Sequence, residues 1–173
     1  MANTAIRIGS AYDVHRLEKG EGIILGGVRI PCEFRTVAHS DGDVLLHALA
    51  EAVFGALAIG DLGTYFPPED QKTTGIDSSL ILKLALDKAR ESGYELYNAD
   101  LSLILEKPKI KDYILPIREN LAKLTGLDIA DISVKAGTNE RLDDLGEGKG
   151  IGCFCSLLLI NQKLTKILKM YFK

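Results

Sequence analysis

The chain contains three histidines, His15, His39 and His47, close together in sequence, each with an aspartate within four positions. Asp13 and His15 stand two apart in a segment that reads as the end of a strand, which turns both side chains to one face. His47 falls in the first turns of the helix predicted next, four residues after Asp43 and on the same helical face. Two imidazoles and a carboxylate with a fourth position open form the ligand set of a catalytic zinc site. Asp41 or Asp43 is placed to orient a histidine from behind. Taken alone, an Asp-x-His pair with a distant histidine also arises from polar residues scattered near turns.

Two further clusters bear on an anionic ligand. His39 and Ser40 stand at the predicted helix start, where unpaired N–H groups and the helix dipole favour a phosphate. Simple capping by Ser40 is the plainer alternative, and it leaves the backbone donors in place. Gly137-Thr138-Asn139-Glu140 follows a strand end. Such a turn can offer Thr138 to a phosphate and Glu140 to a hard cation such as Mg²⁺, although a polar turn is the blander reading. Gly146-Glu147-Gly148-Lys149-Gly150 leads into a strand, so it meets neither the Rossmann nor the P-loop context. There is no Gly-x-Ser-x-Gly elbow and no cysteine beside a histidine, which is tolerable if the substrate brings its own nucleophile.

The elements that must position these residues follow from periodicity and turn chemistry. Residues 5–14 alternate as a strand. Gly26-Gly27 lies between apolar runs as a hairpin signal closed by Pro31, and Thr36–Gly42 reads as a loop. Ser40 and Asp41 are both good N-caps for a helix over 42–57, with Leu45, Leu49, Val53 and Leu57 as its core-facing stripe. The long connection 59–76, rich in Gly and Pro, has the length of a functional loop. Asp77 caps a helix over 78–92 that Gly93 stops. A strand over 99–105 precedes a helix over 111–125, with Pro116 as a kink or late start and Gly126 as its end. Strands at 132–136 and 153–160 and a basic amphipathic tail, 161–173, complete the chain. Mixed strands and helices without βαβ repetition imply an α+β fold, a mixed β-sheet packed against helices in a single domain over 1–160 with a C-terminal tail.

The bulk properties narrow the classes. At 173 residues the chain has the size of one domain, and 46% hydrophobic with 26% charged residues is a globular profile. A net charge of −3 gives no general attraction to nucleic acid or anionic membrane, so an anionic ligand must be neutralised locally. No apolar run is long enough to span a bilayer. No targeting segment is evident at the N-terminus, and the odd set Cys32, Cys153 and Cys155 suits a reducing cytoplasm. Cys153 and Cys155 sit in an apolar strand and read as buried thiols before ligands.

Several stretches together resemble the 2-C-methyl-D-erythritol 2,4-cyclodiphosphate synthases of the non-mevalonate isoprenoid pathway. They are Ile8-Gly9 through Tyr12-Asp13-Val14-His15, Gly26-Gly27-Val28-Arg29-Ile30-Pro31, and above all Ala38-His39-Ser40-Asp41-Gly42-Asp43-Val44-Leu45-Leu46-His47-Ala48. Gly60-Asp61-Leu62-Gly63, Phe66-Pro67, Pro108-Lys109 and Val134-Lys135-Ala136 with Thr138 and Glu140 follow in the family's order. The resemblance covers residues 6 to about 160.

That resemblance implies a homotrimer with active sites at subunit interfaces. It implies zinc, or another divalent ion, on Asp13, His15 and His47, and a second ion, Mg²⁺ or Mn²⁺, on Glu140 against the diphosphate. His39, Ser40, Thr138 and Gly137 would meet phosphates, Asp61, Leu62 and Gly63 the ribose, and Leu105, Pro108 and Lys109 the cytosine. The implied reaction is attack of the substrate's own 2-phosphate on the β-phosphorus of 4-diphosphocytidyl-2-C-methyl-D-erythritol 2-phosphate, expelling CMP.

Some positions depart from the family pattern. Phe66-Pro67-Pro68 replaces Phe-Pro-Asp, so one acidic contact to the erythritol part is either missing or moved to Glu69 or Asp70. Thr74 stands for a lysine. Glu147-Gly148-Lys149-Gly150 with Asp144 exchanges the charges of an Arg-Gly-Glu-Gly run near the trimer axis, putting an isoprenoid diphosphate site there in doubt. The competing readings are a metal-dependent phosphoesterase that attacks with water and a non-catalytic trimer braced by zinc.

Overall fold

In the computed structural model, residues 4–67 and 73–171 are described. A long strand β1 (Ile6–Lys19) is followed by a small hairpin, β2 (Ile23–Leu25) and β3 (Val28–Ile30), and by β4 (Phe34–Val37). Helices α1 (Val44–Leu57), α2 (Leu62–Tyr65) and α3 (Ser78–Glu91) precede β5 (Tyr94–Ile104). The chain continues through α4 (Ile114–Thr125), β6 (Ile132–Gly137), the short α5 (Asp143–Gly146), β7 (Gly150–Asn161) and α6 (Gln162–Tyr171). The main sheet has the order β4-β1-β7-β5-β6, with β5 and β6 parallel and the other pairs antiparallel. The mixed sheet packed against helices is the α+β architecture expected.

Alternation along β1 decides which side chains meet the helices. Gly9, Ala11, Asp13, His15 and Leu17 turn inward, while Ile6, Ile8, Tyr12 and Val14 turn out and are exposed. Helix α1 lies against β1 and β7 and is buried almost all round, from Val44 to Leu57. The close approach depends on Gly9: a Cβ there would lie 2.0 Å from the carbonyl oxygen of Ala52. This contact sets the helix carrying His47 directly over the strand carrying Asp13 and His15.

The structure alters several boundaries. β1 runs past His15 to Lys19, so the Asp13/His15 pair sits within a strand. The N-cap of α1 is Asp43, and neither Ser40 nor Asp41 takes that position. Thr36 and Val37 belong to β4 rather than to a loop, and the 59–76 connection contains α2. A 3-10 turn at Lys111–Tyr113 precedes α4, which accommodates Pro116 in its first turn, the late start that Pro allows. The tail forms α6. No described helix is long and apolar enough to cross a membrane.

Candidate metal centre and adjoining cavities

The inward face of β1 and the first turns of α1 bring Asp13, His15 and His47 together. Each offers one ligand atom, and these atoms lie within 4.8 Å of one another. His15 Nε2 is 2.9 Å from His47 Nδ1, and Asp13 Oδ2 is 3.2 Å from each imidazole nitrogen. Around a tetrahedral ion with bonds of about 2.0–2.1 Å, ligand atoms stand about 3.3 Å apart. The triangle therefore fits one face of such a coordination sphere, and the donor set suits zinc. The rings meet edge to face, with centroids 5.0 Å apart.

The local electrostatics favour the ligating forms. Burial raises the Asp13 carboxyl's pKa, but the His47 hydrogen bond, the charges of His15 and His47 and the Val14 N–H together hold it below its ordinary value. Burial pushes His15 down, and His47 adds to that against the opposing Asp13. A carboxylate and a neutral imidazole are what a metal ion requires.

The two nearby aspartates divide differently from the expectation that either could orient a histidine. Asp43 is fully buried and, among the described residues, has no hydrogen bond to the His47 ring. Its carboxylate accepts the N–H groups of Gly26 and Gly27 in the hairpin turn, at 2.9 and 2.6 Å, and those of Leu45 and Leu46, both at 3.1 Å. It thus closes α1 and ties the hairpin to it. Two donors of the α1 N-terminus, the N–H groups of Leu45 and Leu46, are taken up in this way. Asp41 reaches His47 through an intermediary, Ser78 at the start of α3. Ser78 Oγ lies 2.9 Å from His47 Nε2 and also bonds Asp41 Oδ1.

A cavity of about 300 Å³ opens beside the three ligands, lined also by His39, Ser40, Leu62 and Gly63. Ser40 Oγ lies 2.9 Å from His47 Nε2 and accepts the Gly42 N–H at 3.1 Å. His39 Nε2 contacts the hydroxyls of Thr73 and Thr74 at 3.0 and 3.5 Å. Asp61 caps α2, accepting from the Thr64 N–H and hydroxyl, and these bonds hold its pKa below the ordinary value. Leu62 N–H donates to Glu51 Oε2 at 2.7 Å. Pro68, Glu69 and Asp70 lie outside the described residues.

A second cavity, about 260 Å³, is lined by Leu105, Pro108, Lys109, Gly137 and Thr138. The Lys107–Pro108 peptide is cis. Glu140 follows in a turn with positive φ at Glu140, Arg141 and Asp143, at 52°, 63° and 57°, conformations that non-glycine residues hold only when surroundings enforce them. Glu106 Oε1 does so in part, accepting the Asn139 N–H at 2.9 Å. The two cavities share no lining residue, so one chain presents the metal triad and the Lys109 cleft as separate cavities.

Sequence reasoning missed Ser78 and Glu51. Ser78 follows the evident cap Asp77, so its hydroxyl reads as part of a helix start. Glu51 carried a signal, since it stands four residues after His47 on one helical face.

Comparison with known proteins extends these findings. The YgbB family model matches residues 6–160. A 2-C-methyl-D-erythritol 2,4-cyclodiphosphate synthase of Brachyspira hyodysenteriae is 44% identical over 158 residues, covering 91% of this chain and 100% of that protein. The chloroplastic synthase of Arabidopsis thaliana is 45% identical over 156 residues, 90% of this chain and 68% of that protein. Among solved structures, the Plasmodium falciparum IspF CDP complex has a TM-score of 0.81 at 34% identity, covering 93% of this chain and 99% of that one. The bifunctional IspDF of Campylobacter jejuni has a TM-score of 0.86 at 38% identity; the match covers 90% of this chain and 42% of that larger one.

Proposed function

The chain belongs to the YgbB family, and on that premise we propose that it converts 4-diphosphocytidyl-2-C-methyl-D-erythritol 2-phosphate to 2-C-methyl-D-erythritol 2,4-cyclodiphosphate and CMP. The observation that carries the reading is the Asp13/His15/His47 triangle, with edges of 2.9 and 3.2 Å, at the mouth of a cavity lined by His39 and Ser40. It is a phosphorus–oxygen lyase reaction within non-mevalonate isoprenoid synthesis.

The chemistry is intramolecular. An oxygen of the 2-phosphate forms a bond to the β-phosphorus, the bond from that phosphorus to the bridging oxygen breaks, and its electron pair leaves with the α-phosphate of CMP. The nucleophile is already an anion at neutral pH, so no strong base is needed. The main cost is bringing two phosphates of a flexible polyanion into line, and a fixed geometry offsets it. Asp13, His15 and His47 would hold a divalent ion and Glu140 a Mg²⁺ or Mn²⁺, and these would supply charge neutralisation and polarise phosphoryl oxygens. His39, Ser40 and Thr138 hold phosphate oxygens, Gly137 giving close backbone approach. Asp61, Leu62 and Gly63 grip the ribose, and Leu105, Pro108 and Lys109 receive the cytosine; that the Plasmodium falciparum relative was solved as a CDP complex fits a cytidine nucleotide as the ligand. Asp70 belongs to the same reading, on the erythritol part.

The working unit is a homotrimer. Ile8, Tyr12, Val14 and Phe154 form an exposed apolar patch on the outer sheet face, Ile8 being 76% exposed and the Tyr12 and Phe154 rings 4.4 Å apart. Such a patch marks an interaction surface, and packing copies there is a way to bring the two cavities of neighbouring subunits together. All three cysteines are free, which fits work in a reducing cytoplasm.

The direct test supplies the cytidyl substrate with Zn²⁺ and Mg²⁺ or Mn²⁺ and follows products by phosphorus NMR. CMP and cyclic diphosphate in equal amounts are expected, with at least about 10²-fold loss in His47→Ala. Release of inorganic phosphate, or full activity in that variant, overturns the proposal.

A further inference from the structure

His47 has two nitrogens facing two different environments. Nδ1 faces His15 Nε2 and Asp13 Oδ2 at 2.9 and 3.2 Å. Nε2 faces the hydroxyls of Ser78 and Ser40, each at 2.9 Å. A neutral imidazole carries one proton, and the nitrogen that keeps it cannot bind a metal.

The hydrogen bonds around Ser78 decide between the two. Ser78 is fully buried and has a single hydroxyl hydrogen. Its Oγ bonds Asp41 Oδ1, and its backbone N–H donates to Asp41 Oδ2 at 3.1 Å. An aspartate carboxylate only accepts, so the Ser78 hydrogen goes to Asp41 and leaves a lone pair toward His47 Nε2. If Nε2 lacked a proton, its lone pair would face that of Ser78 Oγ at 2.9 Å in a buried site, and Ser40, on the cavity side, would be the only hydroxyl left to donate to it. An Nδ1–H group would satisfy Asp13 but would leave this clash in place.

We infer that Ser78 and Asp41 are positioning residues that keep a proton on His47 Nε2 and so reserve its Nδ1 lone pair for a metal ion. This rests on the metal-dependent reading above. The anchor is firm, because Asp41 N–H also donates to Ile76 O at 3.1 Å and Gly75 N–H to His39 O at 2.7 Å. The His39–Asp41 loop and the approach to α3 are thereby bonded in both directions. A second consequence concerns Ser40. Its Oγ accepts from Gly42 N–H and faces an Nε2 that already carries a proton. The Ser40 hydrogen is then free to donate into the cavity, toward a phosphate oxygen.

The test uses protein labelled with ¹⁵N in its histidines, of which there are three, so His47 is assigned by comparison with His15→Gln and His39→Gln variants. In the wild type, the zinc-loaded protein should show His47 protonated at Nε2 and metal-bound at Nδ1. The metal-free protein should retain the Nε2 proton. A neutral Nδ1–H ring without zinc, or zinc on Nε2, overturns the inference without recourse to any Ser78 variant. Competition with a chelator should show Ser78→Ala binding Zn²⁺ at least about 10-fold more weakly, with Ser78→Thr restoring most of the loss. Unchanged affinity in a folded Ser78→Ala also overturns it. These readouts need no substrate, so a protein that meets them yet releases no CMP refutes the proposed reaction and leaves the tautomer assignment standing.

Discussion

Gly9 lies beneath the carbonyl of Ala52 so closely that a methyl group at Gly9 would sit 2.0 Å from that oxygen, well inside van der Waals contact. The clash partner is backbone, so relief requires α1 to lift from β1. Gly9→Ala is expected to cost about 2–3 kcal/mol by overpacking, seen as a lower urea midpoint. Because His47 rides on α1 while Asp13 and His15 ride on β1, Zn²⁺ affinity should fall as well. A Gly9→Ala protein of unchanged stability and metal affinity would show that the helix–strand contact does not set the triad.

Glu51 links the metal helix to the proposed ribose turn. Its carboxylate accepts the Leu62 N–H at 2.7 Å, and burial, with Asp61 and Asp13 nearby, raises its pKa. Glu51→Ala removes the acceptor from the first turn of α2 without touching a metal ligand. The expected result is a KM for the cytidyl substrate raised by about 10-fold, the scale of one lost charge-assisted hydrogen bond, with Zn²⁺ affinity unchanged. A fall in metal affinity with KM intact would place Glu51 in a different role.

Asp43 gives a pH signature. Burial pushes its carboxyl up to about 6 from 3.8, against the opposing N–H groups of Gly27, Gly26 and Leu46. The folded protein then holds this proton more tightly than the unfolded chain does. The group's contribution to stability is full below 3.8 and is lost as pH rises through about 6. Urea midpoints of wild type and Asp43→Asn, compared at several pH values, should show the wild type losing about 3 kcal/mol relative to the variant across that window. A relative gain would mean that the N–H donors outweigh burial.

The legibility of this chain tracks how local each determinant is. The α1 stripe, the Asp77 cap and the Gly26-Gly27 turn were readable because periodicity and turn chemistry act over a few residues. Asp13, His15 and His47 were readable as donor types, and the family resemblance tied them together, but their meeting depends on Gly9, whose role emerges only when a helix lies on it. Asp43 and Asp41 were interchangeable on paper. They separate because one faces the hairpin turn and the other faces α3, both long-range packing outcomes. The strand ends are hidden from sequence for the same reason, since β1 continues to Lys19 by pairing with β4 and β7 where its own sequence turns polar. Ser78 has no local signal at all, because its function is defined by a histidine 31 residues away.

In the proposed reaction a metal at Asp13, His15 and His47 would serve a substrate oxygen rather than an attacking water. The most direct measurement is turnover of the cytidyl substrate in ¹⁸O-labelled water, with mass analysis of both products. No ¹⁸O is expected in either CMP or the cyclic diphosphate, because the 2-phosphate supplies the attacking oxygen. Incorporation of one label per turnover into either product would contradict that reaction and identify a metal-dependent hydrolase in its place.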